Sequence, residues 1–444
     1  MKLVLLNPPD LNSLDSKLDP PLGLMGISSF LKSRGVDVNL IDLTWENDWK
    51  RIIEMNPADL YGMTVYSASL DSAIKITNIT KITCPDSKVI VGGPHFTAMP
   101  WDILKYPFDF VCMGEGEETL LELCQKWGAY SYDSVIGLGN KTKGIFQGRL
   151  HDQLFLSNQR PMIEDLDKLP FPDRDSVPIK SYTRKVQGKL SCAVMTSRGC
   201  YGKCAFCNSP NFWKGVRVRS AQKTIEELRI IVENYGFEAV HFWDDILTLK
   251  GERFDQIMEG LKKLNIVFRC NGDPRIDTTE ILQKLYDSGC REYCLGVESG
   301  SPKVLNTIHK GTIPEKVKGI IGEAKRIGLP VKEFLMVGNP GETWEDVEMT
   351  LQFVKETDPD FWTIFNFIPL PGCDIWNNRE KYGINLRTND WNQYFCIGGK
   401  NVGGITHDVV GGLSGEEIEK ARQYLLDNLP GQKGHLQDYY EKLK

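Results

Sequence analysis

Twice along this chain, short uninterrupted apolar runs alternate with helical patterns, and that rhythm limits the fold more than any other feature. Over residues 1–130 the runs are KLVLLNPP, VDVNLIDL, DLYGMTVYS, KVIVGGPH and FDFVCMG, with helical stretches such as PLGLMGISSFLKSRG between them. Runs apolar on both faces are what buried parallel strands require. Five such units predict an α/β, doubly wound, Rossmann-like domain that receives ligands beyond its strand C-termini. Residues 131–188 break the rhythm. VIGLGNKTKGIFQGRL reads as a small hairpin, and MIEDLDKLPFPDRDSVP, rich in proline and acid, as a linker. Over 189–372 the alternation resumes through LSCAVMTSR, AVHFWDD, VFRCNGD, EYCLGVES, VKEFLMVG and FWTIFNFIPLPG. Six successive β/α units predict a partial (β/α)6, TIM-like barrel with its chemistry at the C-terminal strand ends. Residues 373–444 are expected to form a short, mainly helical C-terminal extension. Within 373–412, NDWNQYFCIGGKNVGG is a candidate lid, against the plainer reading of a packed extension.

Length agrees with this division, because 444 residues exceed one ordinary core. A net charge of -6 argues against nucleic acid as a partner. No run of about 18 apolar residues occurs, so no transmembrane segment is expected. MKLVLLNPPD reads as a first strand rather than a leader, and a cytoplasmic location is expected. Five of the twelve cysteines stand singly in apolar runs (Cys84, Cys112, Cys124, Cys192, Cys270), as small buried hydrophobes in a reducing compartment do.

TSRGCYGKCAFCNSP, residues 196–210, is different: Cys200, Cys204 and Cys207 fall on one loop just after the first barrel strand. Three cysteines so close together, beside Gly199 and Gly202, are too dense for chance packing. A structural zinc site would need a fourth ligand from afar. A redox dithiol would use Cys204 and Cys207 and leave Cys200 idle. An iron–sulfur cluster on three thiolates keeps one iron open to a small chelating ligand. The remaining cysteines, including Cys290, Cys294, Cys373 and Cys396, are too scattered to suggest a second cluster domain.

Cys200-x3-Cys204-x2-Cys207, with Phe206 before the last cysteine, resembles the signature of the radical S-adenosylmethionine (SAM) superfamily. The resemblance implies a 4Fe-4S cluster on these three cysteines, the catalytic and metal-binding residues of the chain. It also implies SAM chelated at the open iron, and reductive cleavage to a 5′-deoxyadenosyl radical. The protein would supply orientation and exclusion of side reactions. By the same resemblance, Glu298 and Ser299 in LGVESGSPKVL, Asn271 and Arg275 in CNGDPRID, Gly338 in MVGNPGET, and Phe206 are expected to contact SAM. Asp273, Asp244 and Asp245 stand at neighbouring strand ends. Glu298 could instead cap the helix that follows, and Pro340-Gly341 is an ordinary turn.

NPPD, LDPPLGLMGISSFLKSRG, YSASLDSA, VGGPHF and DFVCMGEGEETLLEL follow one another over residues 1–130. Their order resembles the cobalamin (B12)-binding-type domain that precedes the barrel in one large radical SAM class. Ser67, Ser69, Gly92, Gly93, His95, Gly114, Glu115 and Gly116 are its candidate cobalamin contacts. Ser67 and Ser69 could hydrogen-bond a ligand tail, and Gly92 and Gly93 let a flat group approach the backbone. The chain departs from the general cobalamin fold in lacking an Asp-x-His-x-x-Gly stretch, so no histidine is placed to ligate cobalt. A corrinoid-type domain kept as scaffold is the alternative.

With cobalamin, the implied reaction is methyl transfer to an unactivated carbon of a small-molecule, lipid or peptide substrate. A flavodoxin or ferredoxin would donate the electron. The alternatives are a radical SAM cyclase, lyase or C–C coupling enzyme, and a zinc-binding structural module. A thiomethylating RNA-modification enzyme would carry a second cysteine cluster and a basic C-terminal domain.

Overall fold

The computed structural model describes residues 1–13, 15–129, 131–146, 149–395 and 404–429, without the side chains of 143–146 and 149–151. Cys396 and most of the candidate lid therefore lie outside the described residues. The chain separates into two compact units: Met1–Tyr182 with Asn211–Lys214, and the remainder from Thr183 onward.

The first unit is built on β1 (Lys2–Asn7), β2 (Asp37–Asp42), β3 (Leu60–Thr64), β4 (Lys88–Gly92) and β5 (Phe110–Cys112), all parallel. Leu3, Val4, Leu5 and Leu6 are each at most 1% exposed, so both faces of β1 are covered. The order β2-β1-β3-β4-β5 reverses direction between β1 and β3 and opens a crevice at the strand C-termini. The hairpin of the linker region does more than the sequence suggested. Its strands β6 (Leu138–Phe146) and β7 (Arg149–Leu156) pair antiparallel with β5 and with each other, extending the sheet to seven strands. The edge of β5, only three residues long, is thereby satisfied rather than left bare. Close approach at this joint needs Gly139, where a Cβ would lie 2.4 Å from Val111 Cγ1.

The second unit begins with β8 (Lys185–Val186), which pairs antiparallel with β9 (Lys189–Val194). A two-residue ladder, β10 (Ser197–Arg198) with β11 (Arg217–Val218), brackets the cysteine loop. Then follow β12 (Ala239–Phe242), β13 (Val267–Gly272), β14 (Cys290–Glu298), β15 (Val331–Val337) and β16 (Phe361–Asn366). Strands β9, β12, β13, β14, β15 and β16 are parallel neighbours in chain order, and the sheet curls into a half-barrel. Four crossover helices of this unit start on a side-chain cap. Ser220, Thr278 and Ser301 accept backbone N–H groups of the first turn, and Thr343 forms a capping box with Asp346. One irregularity positions chemistry. The β14–β15 register slips between Gly296 and Glu298, leaving Glu298 with φ +67°. A non-glycine residue in the left-handed region is a local cost that the surroundings must hold in place.

Candidate functional site

The root of the cysteine loop is tied down by Asp244, at the end of β12. Its carboxylate accepts the Thr196 N–H at 3.1 Å, the Thr196 hydroxyl at 2.7 Å and the Ser197 hydroxyl. Arg253 donates to the carbonyl and hydroxyl of the same Thr196, at 3.0 and 2.7 Å. Further along, Ala205 is held from both sides. Its N–H donates to Ile308 O at 2.8 Å, and its carbonyl accepts Ile375 N–H at 3.0 Å. The loop is thus fixed before any ligand arrives.

The sulfurs are drawn into the backbone. Cys200 Sγ accepts Gly202 N–H at 3.2 Å and Cys207 Sγ accepts Ser209 N–H at 3.4 Å. Gly202 is tightly enclosed: a Cβ would lie 3.0 Å from Arg275 Nη2 and 3.3 Å from Cys200 Sγ. Burial pushes the thiols of Cys200 and Cys204 up, and that of Cys207 to about 12. Such sulfurs ionise when a metal takes the place of the proton. Among the described residues no three His, Cys, Asp or Glu side chains converge on a single ion position. In a cluster each thiolate takes a separate iron, so no such convergence is needed. Three soft donors on one pinned loop fit such a cluster.

Two buried ion pairs flank the loop. Arg275 grips Asp273 in a fork, with Nε–Oδ1 at 2.9 Å and Nη2–Oδ2 at 2.5 Å, and its guanidinium lies 5.0 Å from the ring centroid of Tyr201. The Tyr201 hydroxyl donates to the same carboxylate. Lys310 Nζ stands 2.7 Å from Glu298 Oε1 and 5.8 Å from the ring centroid of Phe206. Burial pushes the Lys310 ammonium down, but Glu298 and the nearby Cys204 sulfur outweigh it and the net direction is up. For Asp273, burial pushes up while hydrogen bonds from Arg275 and Tyr201 pull further down, so the carboxylate is held below its ordinary range.

Of the residues singled out, Cys200, Cys204 and Cys207 for the cluster and Phe206, Arg275 and Glu298 for SAM lie in this neighbourhood. Asn271, at the end of β13, donates to Asp244 O at 3.0 Å. Ser299 turns inward: it is 0% exposed, its hydroxyl is 3.1 Å from Thr350 Oγ1, and it accepts Ser301 N–H. Gly338 is a packing joint. Its N–H donates to Glu342 Oε2 at 2.6 Å, His407 Nε2 lies 2.8 Å from its carbonyl, and a Cβ would lie 2.8 Å from Ile418 Cδ1. Sequence reasoning missed Lys310 and Tyr201. The available signal for Lys310 was the HKG turn, where His309 and Gly311 both take positive φ around the lysine.

In the first unit, the other candidates line the ends of β3, β4 and β5. Ser67 Oγ is 3.0 Å from His95 Nδ1, and His95 Nε2 is 3.5 Å from Asp102 Oδ2. Ser69 Oγ accepts Tyr66 N–H at 3.1 Å and so shapes the turn after β3. Gly93 takes φ +92°, with its Cβ position 2.9 Å from Thr64 Cγ2 and 3.0 Å from Val65 O. A Cβ on Gly92 would lie 3.3 Å from Cys112, and one on Gly116 3.0 Å from Ile27. Gly114 donates its N–H to Thr97 Oγ1 at 3.0 Å. Glu115 accepts Ile163 N–H at 2.7 Å, clasping the linker. Both nitrogens of His95 already face partners, so this edge suits a ligand held by hydrogen bonds and close backbone approach rather than by a histidine–metal bond.

Two family models match the sequence: the radical SAM superfamily over residues 194–354 and the B12 binding domain over 18–124. An uncharacterized methyltransferase of Pyrococcus horikoshii is 31% identical over 411 residues, 89% of this chain and 87% of that protein. The anaerobic magnesium-protoporphyrin IX monomethyl ester cyclase of Rubrivivax gelatinosus is 25% identical, over 84% of this chain and 68% of that protein. Among solved structures, the radical SAM methyltransferase TsrM of Kitasatospora setae, with cobalamin and a [4Fe-4S] cluster bound, superposes with a TM-score of 0.68. That match has 17% identity and covers 95% of this chain and 82% of TsrM, a likeness of fold.

Proposed function

Because the chain belongs to the radical SAM superfamily, with a B12-binding domain ahead of its radical SAM domain, we propose that it is a cobalamin-dependent methyltransferase acting on an unactivated carbon. The observation that carries this reading is the pinned loop of three thiols set between two buried ion pairs. Cys200, Cys204 and Cys207 would hold a 4Fe-4S cluster. Lys310 and Arg275 place positive charge beside the thiolates, which offsets the negative charge that metal binding gathers there. Glu298, held in its left-handed conformation by Lys310, presents a fixed carboxylate to the polar end of SAM, and Phe206 offers an apolar face. In the first unit, the glycine-lined edge and Ser67 would hold cobalamin. When bound, these groups supply the electron that cleaves the sulfonium and the methyl group that is transferred. A small molecule, lipid or peptide is the substrate class, and a flavodoxin or ferredoxin the electron donor. Among the described residues no helix is long and apolar enough to cross a membrane.

The similarity to a magnesium-protoporphyrin cyclase supports one other reading, ring formation by the radical SAM domain with the first domain kept only as a scaffold. Anaerobic reconstitution separates the readings. With dithionite and SAM the protein is expected to release 5′-deoxyadenosine and, with hydroxocobalamin, to acquire a visible corrinoid spectrum. Cys200→Ala, Cys204→Ala and Cys207→Ala should each bring SAM cleavage to background. Undiminished cleavage in any of the three overturns the cluster assignment, and a protein that takes up no corrinoid overturns methyl transfer in favour of the second reading.

A further inference from the structure

Inside the first unit, three polar side chains form a line from the interior to the ligand edge. The side chain of His95 is 0% exposed and that of Asp102 4%, while Ser67, just past β3, keeps 7% of its surface open. The Asp102 carboxylate faces His95 Nε2 at 3.5 Å and takes Lys105 Nζ on its other oxygen at 2.7 Å. The second ring nitrogen, Nδ1, lies 3.0 Å from Ser67 Oγ.

The order of these contacts fixes the direction of the hydrogen bonds. A neutral imidazole carries one N–H, and the partner of one nitrogen decides the role of the other. An anion at Nε2 places the proton there, which leaves Nδ1 with a lone pair. Ser67 then spends its single hydroxyl hydrogen on Nδ1, and only lone pairs remain to face the ligand edge. Asp102 is kept ionised for this role: burial pushes its carboxyl up, but the neighbouring His95 and Lys105 outweigh that and hold it below the ordinary carboxylate value.

We propose that His95 and Asp102 are positioning residues that hold Ser67 as a hydrogen-bond acceptor for an N–H or O–H donor of a bound corrinoid. The proposal rests on the cobalamin reading above. It gives His95 a purpose that needs no contact with the metal, and it explains why a histidine so close to the ligand edge is wholly enclosed.

Spectral titration of the full-length protein with hydroxocobalamin tests it. Ser67→Ala removes the acceptor. Asp102→Asn keeps the shape but presents an amide to Nε2, moves the ring proton to Nδ1, and turns Ser67 from acceptor to donor. Each variant should weaken binding roughly 5- to 10-fold, the worth of one hydrogen bond. The double variant S67A/D102N should bind no more weakly than S67A alone, because Asp102 acts only through Ser67. A parallel titration with cobinamide, which lacks the nucleotide tail, locates the donor. Equal losses place it on the corrin amides, and losses confined to hydroxocobalamin place it on the tail. Unchanged binding in D102N, or additive losses in the double variant, overturns the proposal. S67A binding as tightly as wild type overturns it alone, even if D102N fails to fold. A wild-type protein that binds no corrinoid overturns instead the reading on which the proposal rests.

Discussion

At the ends of β9, β12, β13 and β14 the side chains that matter carry charge, whereas at the ends of β3, β4 and β5 the backbone does most of the work. The first surface gathers three thiols, two cations and two carboxylates around one short loop. The second offers Gly92, Gly93, Gly114 and Gly116, with a serine backed by a histidine. A compact, highly charged cofactor needs fixed counter-charges in a dry place. A broad one needs chain without side chains, and turns that hold their shape. One sheet edge suits the former and the other the latter, although both are ends of parallel strands.

The sharpest way to break that comparison is to remove charge from the second unit. Lys310→Met leaves Glu298 7% exposed and without its ammonium partner. Breaking a buried pair in this way costs about 3–5 kcal/mol. Hydrogen exchange across β14 and β15 is expected to show a loss of that size, with the first unit unaffected. Adding Glu298→Gln should restore most of it, since the stranded charge is then gone. If K310M is as stable as wild type, charge pairing is not what organises this surface.

The same contrast explains what could be read from sequence. The cysteine loop was legible because its ligands are separated by only a few residues and lie on a loop following a strand. The strands themselves were legible because buried parallel strands leave continuous apolar runs. The β6–β7 extension was not, because KTKGIFQGRL carries no pattern saying which edge it will cover. Lys310 escaped for a related reason: its meaning depends on Glu298, twelve residues away, and on a register slip that no local pattern records. Ser67, His95 and Asp102 were read as separate contacts or not at all. Ser67 and His95 lie 28 residues apart on different strand ends, and only the sheet joins them.

Acidity should divide the two surfaces as well. Burial pushes the Glu342 carboxyl up to about 7, against backbone N–H donors from Asn339 and Gly338 that lower it. In the unfolded chain this group releases its proton near its ordinary value of 4.5. Between those values the folded state binds the proton and the unfolded state does not. Stability from Glu342 is therefore complete below pH 4.5 and is lost as pH rises to about 7. The loss is roughly 3 kcal/mol at most, at about 1.4 kcal/mol per pH unit. Glu342→Gln, which stays neutral, should flatten this slope for the turn after β15. A slope unchanged in E342Q would assign the pH dependence to other groups.

The smallest effect expected tests the uncharged surface by itself, through two glycines that differ in what surrounds them. Gly93 and Gly114 both take positive φ, +92° and +76°. At Gly93, ψ of -174° puts the backbone in a region that side chains almost never enter, and an added Cβ would press on Val65 O at 3.0 Å. At Gly114 the added Cβ would meet only Met162 Cε, at 3.7 Å. Strain alone costs about 1–3 kcal/mol at such positions, and the backbone contact at Gly93 cannot move aside as a methionine methyl can. Gly93→Ala should therefore destabilise the first unit by about 2–3 kcal/mol and Gly114→Ala by about 1 kcal/mol, measured by exchange at β3, β4 and β5. Equal costs at the two sites would show that dihedral strain, and not the close packing of β4 on the turn after β3, makes glycine necessary there.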